Sequence, residues 1–221
     1  TTLPGLPMLG HGQVEGYHEK YGMEYKKAYW EESPDQYLFD RHAQQIFPLM
    51  HRREIFSSVE NFRLYDFVNE GGVNQNVFAY SNRLGDQRSL VVYHNCYADT
   101  GGWIQRSIPT KTSGSEELIT NSLVEGLGIP TGKGLYCVVK NQMDGQYYIF
   151  STELLHSQGM YLNLHAYQCQ IFIDFEFVQD TKERPYAKLC QILQGHGVPD
   201  IDQAFLSMEL EPIHVPMREI L

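Results

Sequence analysis

Carboxylate side chains are concentrated in a polar stretch near the start of the sequence, at Glu15, Glu19, Glu24, Glu31 and Glu32. Carboxylates can transfer protons as general acids and bases, and they can accept hydrogen bonds from sugar hydroxyls. They can equally be solvated side chains of a loop. We interpret all of them except Glu15 in this second way.

Aromatic side chains share the same stretch, at Tyr21, Tyr25, Tyr29 and Trp30. Their ring faces could stack on sugar rings, or they could pack the loop against the rest of the protein. The sequence favours neither alternative. A loop of this length in a compact protein is commonly functional.

The sequence lacks the motifs of several other kinds of functional site. The nine histidines are scattered, and neither His-Glu-x-x-His nor Cys-x-x-Cys occurs, so we expect no metal site and no cofactor. Gly10, Gly12 and Gly16 are spaced one residue too widely for the dinucleotide fingerprint, and no βαβ unit follows them. Gly-x-Ser-x-Gly is absent as well, so a serine-hydrolase triad has no anchor.

Composition narrows the class of partner. The 221-residue chain carries a net charge of −10 and has no Lys/Arg cluster longer than two residues, which argues against nucleic acid and anionic membranes. It has no apolar run of membrane-spanning length and no signal peptide. The widely spaced cysteines favour free thiols in a cytoplasmic protein; they are Cys96, Cys137, Cys169 and Cys190. The chain begins at Thr1 rather than Met, and we expect it to be a fragment of a longer protein.

The clearest structural element is a β-hairpin within Asn76–Asn95. Val77–Ser81 and Ser89–His94 are rich in Val, Phe and Tyr, and Asn82–Arg88 between them has Gly85 at its tip. A hairpin is not stable alone, so other elements must pack against both of its faces.

Further elements surround this hairpin. Ser33 and Pro34 predict the start of a helix that is interrupted near Pro48. A second hairpin is predicted from Leu135–Lys140 and Gln146–Phe150. The remaining predicted elements are a short strand at Leu6–Leu9, long strands within Met160–Val178, and helices at Ala187–Leu193 and Ile201–Leu210.

Several segments, taken in order, resemble the C-terminal part of the α-amylase family of glycoside hydrolases, family 13. Gly5–Gly16 (GLPMLGHGQVEG) resembles the last barrel strand and its loop, although Gly10-His11 replaces the usual aromatic pair and the acid is displaced by one residue, to Glu15. The other similar segments are Ile46–Arg53 (the final barrel helix), Asn76–Asn95 (the first sandwich hairpin) and Leu164–Ile173 (the closing sandwich strand).

The resemblance implies a mainly β fold. Residues 1–56 would be the last βα unit of a TIM barrel, residues 57–180 an antiparallel β-sandwich, and residues 181–221 the start of a helical extension. His11, Gln13 and Glu15 would then follow a barrel strand, where active-site loops gather, and would line a sugar pocket of the whole protein together with Tyr21, Tyr25 and Trp30.

The family's catalytic carboxylates lie on earlier barrel strands, and no residue here matches their motifs. Retaining hydrolysis needs two carboxyl groups about 5 Å apart. The resemblance therefore implies a non-catalytic fragment of an enzyme acting on α-glucans. The sandwich would stabilise the barrel, whose remaining strands would be the chain's partner. The alternative is a stand-alone carbohydrate-binding or protein-interaction β-sandwich.

Overall fold

The computed structural model of the chain describes residues 1–19, 26–111 and 117–220, with the backbone alone for residues 211–220. The chain divides into two compact units, Thr1–Glu60 and Asn61–Leu221.

The helical part of the first unit is a series of short turns. They are α1 (Gln36–Arg41), a π-helical turn (His42–Ile46), α2 (Phe47–His51) and α3 (Arg53–Ser57). Asp35 caps α1 by accepting a hydrogen bond from the backbone N–H of Leu38, so the predicted start at Ser33 is wrong by two residues. The interruption predicted near Pro48 is confirmed, because the π-helical turn directly precedes the helical turn that contains this proline.

The opening segment of the first unit is not a strand. The guanidinium of Arg53 donates hydrogen bonds to the carbonyl oxygens of Thr1 (2.8 Å), Leu3 (2.9 Å) and Gly5, and this holds the segment in an irregular conformation. The strand expected at Leu6–Leu9, and with it the βα unit of a barrel, is therefore not formed. A lone strand leaves its backbone groups without partners, and the described part of this unit contains no strand to pair with it.

The second unit is built on one antiparallel sheet. The strands of this sheet are β1 (Arg63–Asn69), β2 (Gly72–Val73), β3 (Val77–Leu84), β4 (Gln87–His94), β5 (Thr100–Ser107), β8 (Leu135–Asn141), β9 (Tyr147–Ser151), β10 (Met160–Leu164) and β11 (Cys169–Gln179). The order across the sheet is β10-β5-β1-β3-β4-β11-β8-β9, and β2 pairs with β1. A separate two-stranded ribbon joins β6 (Thr110–Lys111) and β7 (Leu118–Ile119). The helices are α4 (Leu123–Leu127), α5 (Thr152–Gln158), α6 (Tyr186–Leu193) and α7 (Ile201–Ile220).

The predicted β-sandwich is wrong. The nine strands form one sheet that curls into a half-barrel, and with its helices the fold is mixed α/β. The cause is β11, which pairs with β4 along one edge and with β8 along the other, so that two halves of the sheet are joined. A β-bulge between Ile173 and Glu176 in β11, with Asp174 at a φ of 53°, adds bend and twist at that junction.

Both predicted hairpins are confirmed. In the first hairpin, Val77 of β3 pairs with His94 of β4 at the open end. Leu84 pairs with Gln87 at the other end, so the turn consists of the two residues Gly85 and Asp86. This turn is shorter than predicted, and the positive φ of Gly85 (57°) suits it. The second hairpin joins β8 and β9. The helices predicted near the end of the chain correspond to α6 and α7.

The main core lies on one face of the sheet, here called the inner face. Every long strand from β1 to β11 contributes to it, and α4 and α5 cover it. Its largest fully buried side chains include Phe67, Leu90, Ile104, Leu127, Met160 and Phe172. On the opposite, outer face, α6 and α7 pack over β8 and β9 through Tyr186, Leu189, Phe205 and Met208.

A buried tyrosine lies in this core. The Tyr65 hydroxyl is 2.7 Å from Ser81 Oγ, and both residues are buried. Burial raises the pKa of Tyr65 to about 12 from its ordinary value of 10.0, although the hydrogen bond to Ser81 and nearby arginines oppose the shift. The folded protein therefore disfavours the phenolate.

Alkaline pH should destabilise the fold through Tyr65. The unfolded chain ionises this group near pH 10 and the folded chain near pH 12, so its stabilising contribution is complete below pH 10 and falls as pH rises between these values. At pH 11 the loss should be roughly 1 kcal/mol. Urea denaturation at pH 8 and pH 11 should show this loss in wild type and a smaller one in Tyr65→Phe. Tyr97→Phe, at an 84% exposed tyrosine, is the control. An equal pH dependence in all three proteins would refute the assignment.

Candidate functional site

The sugar-lining residues predicted from the sequence fall in the first unit. His11, Gln13 and Glu15 lie in one turn, where Gln13 Oε1 accepts a 3.0 Å hydrogen bond from the N–H of Gly10. The His11 ring lies 5.9 Å from the ring of Tyr17. These contacts shape the turn, and the sugar-binding role of its residues stays a prediction.

Two of the nearby glutamates organise the loop. The carboxylate of Glu19 accepts hydrogen bonds from the backbone N–H groups of Tyr29 and Trp30, at 2.8 to 3.0 Å. The carboxylate of Glu32 accepts from the N–H groups of His18 and Glu19, at 2.8 and 3.0 Å. Both carboxylates therefore supply hydrogen-bond acceptors to backbone N–H groups that have no secondary-structure partner in an irregular loop.

Of the predicted aromatic residues, Trp30 is 60% exposed at the end of this loop. Tyr21 and Tyr25 lie outside the described residues. The structure therefore brings His11, Gln13 and Glu15 into one turn, and Trp30 is positioned separately by Glu19.

A second group of aromatic and polar side chains lies on the outer face of the sheet. Trp103 of β5 and Tyr161 of β10 are direct cross-strand partners. Their ring centroids are 5.1 Å apart and their planes are inclined by 63°. Trp103 is half-buried and Tyr161 is 47% exposed, so both rings are fixed by packing and reach solvent. We call this pair the aromatic platform.

A glycine makes room beside the platform. Gly101 pairs with Asn163 across the same two strands. A Cβ at Gly101 would lie 2.4 Å from the Tyr161 hydroxyl and 2.8 Å from Asn163 Oδ1. Any larger residue would therefore displace these side chains and fill the depression next to the rings.

Polar groups line this depression, which has a volume of about 800 Å³. The polar side chains that line it are Asn69, Glu70, Asp99, Thr100, Gln105 and Asn163. Two of them are fixed by hydrogen bonds: the Gln105 amide donates to the carbonyl of Gln158 (2.9 Å), and Thr100 Oγ1 accepts from Asn74 (3.1 Å). Asp99 Oδ1 lies 3.2 Å from Nδ1 of His165, and both side chains are mostly exposed.

The arrangement suits a ligand that offers both apolar faces and hydroxyl groups. Aromatic rings contribute apolar contact area at little cost in side-chain entropy, while amide and carboxylate oxygens accept hydrogen bonds from hydroxyls. The described lining contains acidic residues and no Lys or Arg, which disfavours an anionic ligand.

Sequence reasoning missed this site. The sequence feature that could have indicated the site is the pair Gly101-Gly102 directly before Trp103. A glycine inside a strand often marks the close approach of another group. Tyr161 and Asn163 alternate with the core residues Leu162 and Leu164, which places both on the outer face. The pairing of β5 with β10, which joins the two halves of the site, is not visible in the sequence.

No protein-family model and no curated protein matches this chain. Among the described residues, no helix has the length and apolar character needed to cross a membrane.

Proposed function

We propose that this chain is a non-catalytic, carbohydrate-binding part of a protein that acts on α-glucans. The observation that carries the proposal is the aromatic platform, Trp103 and Tyr161, beside the depression at Gly101. Rings of this kind stack on the apolar faces of sugars, and the surrounding amides and carboxylates bind their hydroxyls. The platform is open and lies at the edge of the sheet, which suits a polysaccharide chain better than an enclosed small molecule.

The class of glucan is inferred from the resemblance of Gly5–Gly16, Ile46–Arg53 and Asn76–Asn95 to the α-amylase family. The second unit is not the sandwich that this family would imply. The support for an α-glucan therefore comes from these segments, while the chemistry of the platform supports a carbohydrate ligand in general.

Loss of the platform should weaken binding to amylose. The chain has two tryptophans, so Trp30→Phe leaves Trp103 as the single tryptophan reporter. Amylose should quench its fluorescence in a saturable way. Tyr161→Ala in this background should weaken the apparent affinity about tenfold, equal to roughly 1.4 kcal/mol.

The matched control is Tyr97→Ala, which removes another exposed tyrosine that does not line the depression. In affinity electrophoresis, amylose gels should retard the wild type and Tyr97→Ala equally and should retard Trp103→Ala less. Equal retardation of wild type and Trp103→Ala, or a loss of binding in Trp30→Phe alone, would refute the platform as the site.

The chain should release no reducing sugar from starch, maltodextrin or an aryl glucoside. Retaining hydrolysis needs a carboxylate pair about 5 Å apart, and no residue of the sequence matches the catalytic carboxylate motifs of the family that it resembles. A reducing-sugar assay on the purified chain tests this, with a fungal or bacterial amylase as the positive control. Product that scales with the amount of chain would contradict the non-catalytic assignment.

An apolar segment of the first unit favours a second role, contact with the remaining strands of a parent barrel. Leu6 and Met8 are 87% and 82% exposed, and Leu3 and Leu9 beside them are also exposed. Exposed apolar residues grouped in this way often mark an interaction surface. We infer that this segment packs against the parent barrel.

An uncovered apolar segment should make the chain self-associate. Sedimentation velocity over a range of concentrations should detect this association in wild type. The double variant Leu6→Gln/Met8→Gln should remain monomeric at the same concentrations. Leu154→Gln, at a 54% exposed leucine in α5, should behave like wild type. A wild-type chain that is monomeric throughout would contradict this role.

A further inference from the structure

The half-barrel leaves an open seam between its two terminal strands, β9 and β10. A cavity of about 390 Å³ lies at this seam. Side chains of β9, β10 and β11 line it, together with the loop Gln194–Gly197. The loop is held to the free edge of β9, because Tyr147 and Val198 exchange backbone hydrogen bonds of 2.7 and 2.9 Å. The volume lies in the range of about 300–1,000 Å³ found for small-molecule sites.

Gln170 marks this cavity as a binding site. It is 7% exposed and lines the cavity, yet its Oε1 atom has no hydrogen-bond partner among the described residues. Gln170 pairs with the core residue Val92 and lies two residues before Phe172, so its side chain belongs to the inner face. A buried carbonyl oxygen without a donor is costly, and a native protein normally supplies one. The missing donor is therefore best supplied by a ligand.

Tyr148 provides a second acceptor. Its hydroxyl donates a 2.8 Å hydrogen bond to Asp144 Oδ2 and accepts one from the side chain of Asn141, so one lone pair of its oxygen remains for a ligand. Burial, together with the bond to Asp144, raises the pKa of Tyr148 to about 12, so the group stays a neutral phenol at physiological pH. Two acceptors in one cavity call for a ligand with several donors.

The remaining lining is neutral and partly aromatic. It includes the carboxamides of Gln146, Gln168 and Gln194 and the ring of Phe150, and the described lining contains no Asp, Glu, Lys or Arg. A charged ligand would lack a counter-charge from these groups, apart from a protonated His165 or His196. Carboxamides and hydroxyls instead match the hydroxyls of an uncharged sugar, and the aromatic rings match its apolar face.

We propose that this seam cavity binds a small, uncharged polyhydroxy compound of mono- or disaccharide size, with Gln170 and Tyr148 accepting hydrogen bonds from its hydroxyls. This site lies apart from Trp103 and is a second site beyond the proposed function. Tyr161 and Asn163 line both depressions, so neither of these residues can separate the two sites.

Maltose is the probe, and thermal unfolding of the full chain is the first measurement. Maltose should raise the melting temperature of wild type in a saturable way, because a ligand that binds only the folded state stabilises it. Gln170→Leu should weaken maltose binding, measured by calorimetry, about tenfold. The same substitution should raise the stability of the protein without maltose, because it removes a buried carbonyl oxygen that has no hydrogen-bond donor among the described residues. Gln191→Leu, at an exposed glutamine of α6 that does not line the cavity, should change neither property.

Tyr148→Phe is the second variant, because it keeps the ring and removes the acceptor, and it should also weaken maltose binding. If Gln170→Leu does not fold, the maltose affinity of Tyr148→Phe alone tests the seam site. No response of wild type to tens of millimolar maltose, or equal affinity in wild type and both variants, would overturn the seam site. Binding that is lost in Trp103→Ala but kept in Gln170→Leu would also overturn it and would leave the platform standing. Loss of amylose binding in Trp103→Ala with unchanged maltose affinity would support both sites separately.

Discussion

The pairing of β11 with both β4 and β8 is the constraint on which the sheet depends. Without it, the hairpins β3–β4 and β8–β9 would belong to different sheets, as they do in a sandwich. The bulge after Ile173 turns β11 between its two partners, and the positive φ at Asp174 is part of that bend. The resulting curl brings residues from both halves of the sheet into one inner core with α4 and α5.

The sequence predicted the local elements well because their causes are local. Alternating apolar residues and a Gly-containing turn specify a hairpin, and the structure contains both predicted hairpins. Helix starts were less certain, because Ser33 and Asp35 are equally suitable caps and only the structure distinguishes them. The prediction of the strand arrangement was wrong because pairing between distant segments, such as β5 with β10, leaves no pattern in either segment alone.

The predicted site residues illustrate the same limit. The family resemblance placed His11, Gln13 and Glu15 at a sugar pocket, and that role stays a prediction. The neighbouring Glu19 and Glu32 were interpreted as solvated loop carboxylates, and the structure shows that they accept hydrogen bonds from backbone N–H groups. Trp103 and Tyr161 lie 58 positions apart, and only the sheet makes them neighbours. Gln170 could not be distinguished from other glutamines in the sequence, because its significance lies in the burial of an Oε1 atom that has no hydrogen-bond partner in the described part of the chain.

The strand β10 contributes side chains both to the core and to the two proposed binding sites. Met160, Leu162 and Leu164 point into the inner core, and Tyr161 and Asn163 point outward, because successive side chains of a strand alternate between faces. The outward residues therefore take no part in the core packing that fixes the strand. At the same time, β10 is a terminal strand of an incomplete barrel, so its free side borders the seam. A closed barrel would bury that side and leave no cavity beside Gln170, which means that the open topology itself creates the seam site.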